Sequence, residues 1–100
     1  MRIGIFGGTD ARPFDDYVAD ALAAEQEGFA SYTLPQIFGL DAMGLLGVIG
    51  REVPRIELLT GVVPTYGRHP ITMAQQALTV QAASGGRFTL GIGLSHQMVI

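Results

Sequence analysis

The sequence of 100 residues contains no cysteine. That absence excludes disulfides, thiolate nucleophiles and cysteine metal sites, and it fits a reducing compartment. Positive charge is scarce: six Lys+Arg against nine Asp+Glu leave a formal net charge of −3. With no basic stripe there is no electrostatic footprint for a phosphate backbone or an anionic bilayer surface, so neither nucleic-acid nor membrane partners are expected. No run approaches the roughly 20 apolar residues of a membrane span. Met1 leads directly into a strand pattern instead of a charged and then apolar leader, and a cytoplasmic location is expected. What is plentiful is apolar: hydrophobic residues make up 48% and charged residues 15%, far from disordered composition. The length suits one domain at most.

The apolar residues are organised as alternating strand and helix units. Arg2 to Phe6 is a short strand run ending in Gly7-Gly8. Pro13 then stands at a first helical position with Asp15 and Asp16 in the first turn, and Phe14, Val18, Ala21 and Leu22 recur at helical spacing up to a left-handed cap at Gly28. Ala30 to Leu34 is β-prone and is stopped by Pro35; Asp41 caps a glycine-interrupted helix to about Glu52, with Pro54 beyond it. Arg55 to Val63 is a third strand, Pro70 opens a third helix, and Ser84-Gly85-Gly86 ends it before a fourth strand from Arg87 to Leu94. The order is βαβαβαβ, with strand starts near residues 2, 30, 55 and 87. Such spacing implies parallel strands joined by right-handed crossovers.

A doubly wound sheet and a (β/α)8 barrel both satisfy this order; length favours the open sheet, since a barrel usually needs about 250 residues. The fourth strand points toward the barrel. Phe88, Leu90, Ile92 and Leu94 alternate with Thr89, Gly91, Gly93 and Ser95, giving one bulky and one bare face. In a barrel the bare face leaves volume for a flat ligand near the C-terminal mouth; alternatively, Gly91 and Gly93 permit close packing or a bulge.

Familiar catalytic motifs are missing. Gly91-x-Gly93 lacks the further glycine of a dinucleotide fingerprint where His96 stands, and the Gly7-Gly8 turn has no Gly-Lys-Ser/Thr. There is no Gly-x-Ser-x-Gly elbow, and His69 and His96 lie on separate loops without zinc-site spacing, so no metal site is expected. His69 precedes a proline at a helix start and reads first as a cap. His96 follows a strand end, where parallel α/β folds place ligands, and is the candidate catalytic residue. Tyr66 and Arg68 are either ligand contacts or an exposed loop. Asp15, Asp16, Asp20, Glu25 and Glu27 read as a solvated helix face, and Met43 and Met73 as core.

The motifs "TGVVP", "RHP" followed by "AQQALTVQAASGGR", and "LGIGLSH" resemble the luciferase-like monooxygenase superfamily, and within it the F420-dependent oxidoreductases common in actinobacteria. "MRIGIFGG" and "AEQEGFAS" fit the superfamily's first unit, so the likeness spans the chain. The resemblance implies the N-terminal part of a (β/α)8 barrel, with residues 1–100 as a single partial domain. It also implies coenzyme F420, or alternatively FMN, at the C-terminal strand ends. By position a non-prolyl cis peptide falls at Gly61-Val62, and the turn from Gly93 through Ser95 to His96 lines the same pocket, making Gly61, Val62, Gly93 and Ser95 the implied cofactor-binding residues. Hydride would pass between C5 of the deazaflavin and a small organic substrate.

Two departures from the family pattern stand out. Several relatives carry an acidic residue and a histidine at the end of strand two, where this chain has Leu34-Pro35-Gln36-Ile37-Phe38, which removes a familiar acid/base group and leaves proton transfer unassigned. The chain also ends after strand four, before the units that would close a barrel. Open edges and an apolar inner face imply a homo-oligomer, and an isolated chain that is poorly active. A non-catalytic, self-associating half-barrel is the alternative from another class.

Overall fold

The computed structural model describes residues 3–7, 12–35, 40–64 and 69–93. Their order is β1 (Gly4–Phe6), α1 (Phe14–Gln26), β2 (Ser31–Leu34), α2 (Ala42–Glu52), β3 (Glu57–Thr60), β4 (Val63–Pro64), α3 (Pro70–Ala83), β5 (Phe88–Thr89) and β6 (Ile92–Gly93).

The helix boundaries follow local chemistry. Pro13 is the N-cap of α1 and not its first helical residue, because its ψ of 149° is extended. Beyond the last turn Gly28 takes a φ of 88°, which costs glycine little, while the Phe29 N–H returns to the Ala24 carbonyl at 3.0 Å. The Asp41 carboxylate accepts the Gly44 N–H at 2.8 Å and starts α2. His69 caps α3, its Nδ1 accepting the Ile71 N–H at 3.1 Å, with Pro70 at the first helical position. The apolar face of α1 is Tyr17, Ala21 and Ala24; Phe14 and Leu22, expected inside, are exposed. Two apolar stripes compete on this helix, and the one with two alanines lets it lie close on the sheet.

β1, β2, β3 and β5 form one parallel sheet in that spatial order. The register places Ile5, Tyr32, Leu58 and Phe88 in one row and Phe6, Thr33, Leu59 and Thr89 in the next. Successive residues of a strand point to opposite faces, so these rows belong to opposite sides of the sheet. The first row joins the core with Ala21 and Ala24 of α1, Met43, Leu46 and Ile49 of α2, and Met73 and Val80 of α3. All three helices thus pack on one side. A doubly wound sheet divides its helices between two faces; helices on one side of strands in chain order make a barrel wall. On the other side Phe6 and Thr89 are exposed.

The third and fourth strands are each interrupted, contrary to the continuous runs expected from Arg55 to Val63 and from Arg87 to Leu94. Leu59 pairs with Thr89, but beyond the break Val63 pairs with Ile92. Residues 60–62 therefore face only residues 90 and 91, which defines a bulge on the β3–β4 side. Along the fourth strand Phe88 is buried, Leu90 half-buried and Ile92 53% exposed, while a Cβ on Gly91 and one on Gly93 would both meet Val62.

Candidate functional site at the strand ends

β1, β2 and β3 bring Phe6, Thr33 and Gly61 together at their C-terminal ends. A Cβ on Gly61 would lie 2.6 Å from Thr33 Cγ2 and 3.8 Å from Phe6 Cε2, so the three are adjacent on the uncovered face. The Gly61–Val62 peptide is cis, at the position the family resemblance implied. Val62 follows with 44% exposure, and Gly93 of β6 lies against it: a Cβ there would meet Val62 Cγ2 at 3.0 Å. Three of the expected site residues, Gly61, Val62 and Gly93, are thus neighbours; Ser95 and His96 lie outside the described residues, as do Tyr66 and Arg68.

Gly91 serves packing, not volume. A Cβ there would collide with the Thr60 carbonyl oxygen, so close backbone approach at the bulge requires glycine. Of the two roles open to this glycine from sequence, tight packing is the one observed.

Polar contacts behind the sheet hold the strand ends and entries. Arg12 Nη2 donates to the Gly7 carbonyl at 2.9 Å and to Asp20 Oδ2 at 3.2 Å, while its guanidinium lies 4.6 Å from the Tyr17 ring centroid. The fully buried Tyr32 donates its hydroxyl to the same Asp20 oxygen at 3.1 Å. Burial, reinforced by the Asp20 charge, pushes the Tyr32 phenol well above the ordinary tyrosine range. Since the fold favours the neutral phenol, its stabilising contribution is fully present below the unfolded value near pH 10 and is lost as pH rises through the folded one. Tyr32→Phe should cost about 1.5–3 kcal/mol at pH 8, the worth of a hydrogen bond to a charged acceptor. Urea unfolding from pH 8 to 11 should also show a shallower alkaline decline than in the parent; parallel curves would refute the assignment.

Two acidic residues expected on a solvated face are instead structural. Asp20 serves Arg12 and Tyr32. Glu25, its side chain 7% exposed, accepts the N–H groups of Arg55 and Ile56 through Oε1 at 2.6 and 2.8 Å, fixing the entry to β3. Asp15, Asp16 and Glu27 are exposed as expected, and Met43 and Met73 are buried in the core. Arg87, to which no role was assigned from sequence, donates to three carbonyls: Ser84 at 2.6 Å, Gly50 at 2.7 Å and Ile56 at 2.8 Å. A basic residue just after a helix-ending Ser-Gly-Gly was the available signal, since cations favour helix C-termini.

A concavity of about 300 Å³ lies elsewhere, between α2 and α3 on the helix side of the sheet, lined by residues including Gly44, Gly47, Thr72, Gln75 and Thr79. Among the described residues no group of three His, Cys, Asp or Glu side chains is placed to hold a metal, and no helix is long and apolar enough to cross a membrane.

The profile of the family described as luciferase-like monooxygenase matches residues 1–100. The chain belongs to this family. It is 34% identical, over its whole length and 29% of the relative's, to a Mycobacterium tuberculosis protein whose name assigns it provisionally to the coenzyme F420-dependent oxidoreductases. Among solved structures, the coenzyme F420-dependent tetrahydromethanopterin reductase of Methanopyrus kandleri superposes with a TM-score of 0.82 at 23% identity, covering 97% of this chain and 27% of that one. The oxygenating constituent of 3,6-diketocamphane monooxygenase from Pseudomonas putida, solved in complex with FMN, gives 0.86 at 19% identity, covering 96% and 30%. The two structural likenesses establish the fold: this luciferase-like chain has the fold of part of a (β/α)8 barrel. It spans under a third of the length of these relatives.

Proposed function

We propose that this luciferase-like chain forms the cofactor-facing part of an F420-dependent oxidoreductase acting on a small organic substrate. The observation that carries the reading is the whole-length 34% identity to the mycobacterial relative named for that cofactor. The strand ends fit such a ligand. Phe6 and Val62, 52% and 44% exposed, present apolar surface beside Thr33 and the side-chain-free Gly61 and Gly93, which suits a flat ring better than a compact polar ligand. In this reading Gly61, Val62 and Gly93 hold the ring, with Phe6 and Thr33 beside it. Ser95 and His96, which follow Gly93 in sequence, are the remaining residues of this reading, Ser95 toward the cofactor and His96 as the candidate catalytic residue. The bound deazaflavin supplies hydride transfer at C5; the protein supplies orientation and exclusion of water.

Competitive titration tests the cofactor choice. Binding of F420 to this chain and to a version extended to barrel length is followed by fluorescence with FMN as competitor. F420 should bind the extended protein and resist displacement by FMN. Preferential FMN binding would move the reading to the flavin monooxygenases of the family, and binding of neither would favour a self-associating half-barrel.

A further inference from the structure

The bulge that presents Val62 is held from both flanks by one residue of the neighbouring strand. On the near side the Thr60 hydroxyl donates to the Gly91 carbonyl at 2.8 Å and accepts the Gly91 N–H at 2.7 Å. On the far side the Val63 N–H donates to the same carbonyl at 2.8 Å. Residues 60 and 63 are thereby drawn onto Gly91, and the intervening Gly61 and Val62 drop out of the pairing with that strand, while the Gly61 N–H still donates to the Leu34 carbonyl of β2 at 2.8 Å. Thr60 is 3% exposed and Val63 fully buried, whereas Val62 between them is 44% exposed. The hydroxyl replaces the backbone partner that Gly91 loses where the two strands fall out of register, so its hydrogen and one of its lone pairs are committed to a single residue.

We infer that Thr60 is a positioning residue: its hydroxyl, bridging both main-chain groups of Gly91, sets how far Gly61–Val62 project onto the uncovered face and where Gly93 stands against Val62. This rests on the proposed site at the strand ends, for which Thr60 itself, facing the helices, provides no ligand contact. The geometry requires an oxygen at this position and not merely a β-branched shape. Valine matches threonine in volume but offers neither donor nor acceptor, and would leave the Gly91 N–H without its partner. Serine keeps both bonds and loses only a methyl group.

The test compares Thr60→Val and Thr60→Ser in the barrel-length protein, with F420 and FMN as probes. Thr60→Val should raise the dissociation constant of the preferred cofactor about tenfold, with amide exchange at Gly91 accelerated by a similar factor and the Val62 methyl resonances shifted. Thr60→Ser should stay within about twofold of the parent in both measurements. Unchanged Gly91 exchange and Val62 resonances in Thr60→Val would overturn the inference, as would equal impairment in Thr60→Ser. Should the parent bind neither cofactor, the functional reading fails, but Gly91 exchange and Val62 resonances still decide the positioning role. Should Thr60→Val not fold, Thr60→Ala, which leaves space for a water, is judged by the same two signals against Thr60→Ser.

Discussion

Replacing Arg87 by alanine should lower the stability of the chain by about 3–5 kcal/mol, a large fraction of the 5–15 kcal/mol typical of a folded domain. The reason lies in where its three acceptors are. The Gly50 carbonyl belongs to the last turn of α2 and the Ser84 carbonyl to the C-cap of α3, positions at which helices leave carbonyls without intrahelical partners. The Ile56 carbonyl precedes β3. One guanidinium therefore satisfies two helix ends, lies in the favourable field at both, and ties them to the sheet. Each hydrogen bond to a charged group is worth about 1.5–3 kcal/mol, and because the three share one side chain they do not simply add. Arg87→Lys should recover less than half of the loss, since a single ammonium on a flexible stem cannot reproduce the planar fork. Chemical denaturation of the three proteins measures this directly; an Arg87→Ala loss below 1 kcal/mol would show the clamp to be incidental.

The second large effect is expected at Gly91. A methyl group there would meet the Thr60 carbonyl, a backbone atom that cannot swing aside, so the strands must part and the Thr60 hydroxyl bonds break. Overpacking of this kind costs about 1–3 kcal/mol, and the lost hydrogen bonds bring the expected total to about 2–4 kcal/mol. Gly93→Ala provides the contrast. Its neighbour is the end of a partly exposed valine side chain, which can move by a few tenths of an ångström, so about 1 kcal/mol or less is expected. Equal destabilisation by the two substitutions would argue that neither glycine is selected by its particular neighbour. Thermal melts under identical conditions suffice for the comparison.

Much of the fold was legible because it is punctuated locally. Asp41, His69-Pro70, Gly28 and Ser84-Gly85-Gly86 mark helix ends through bonds or dihedral angles confined to a few residues, and each stands where the sequence pattern placed it. The neighbouring positions of Gly61, Val62 and Gly93 were reachable only through the family motifs, since no local rule pairs residues so far apart in the chain. What sequence reading missed depends on register and on long-range partners. The interruption of both strands arises from an unequal count of residues between two ladders, which neither strand reveals alone. Glu25 looked solvated because helical spacing placed it among exposed acids, yet its acceptors' partners lie thirty residues on, at Arg55 and beyond. Arg87 looked like the polar start of a strand for the same reason.

The central claim is that ligand binds on the helix-free face, at the strand ends around Val62, and not in the groove between α2 and α3. Mapping resonance shifts in the barrel-length protein during an F420 titration tests it most directly. The account predicts that shifts concentrate at Phe6, Thr33, Gly61, Val62 and Gly93 while Gly44, Gly47, Thr72 and Thr79 stay unperturbed. Saturable shifts confined to the groove residues, with the strand ends silent, would contradict it.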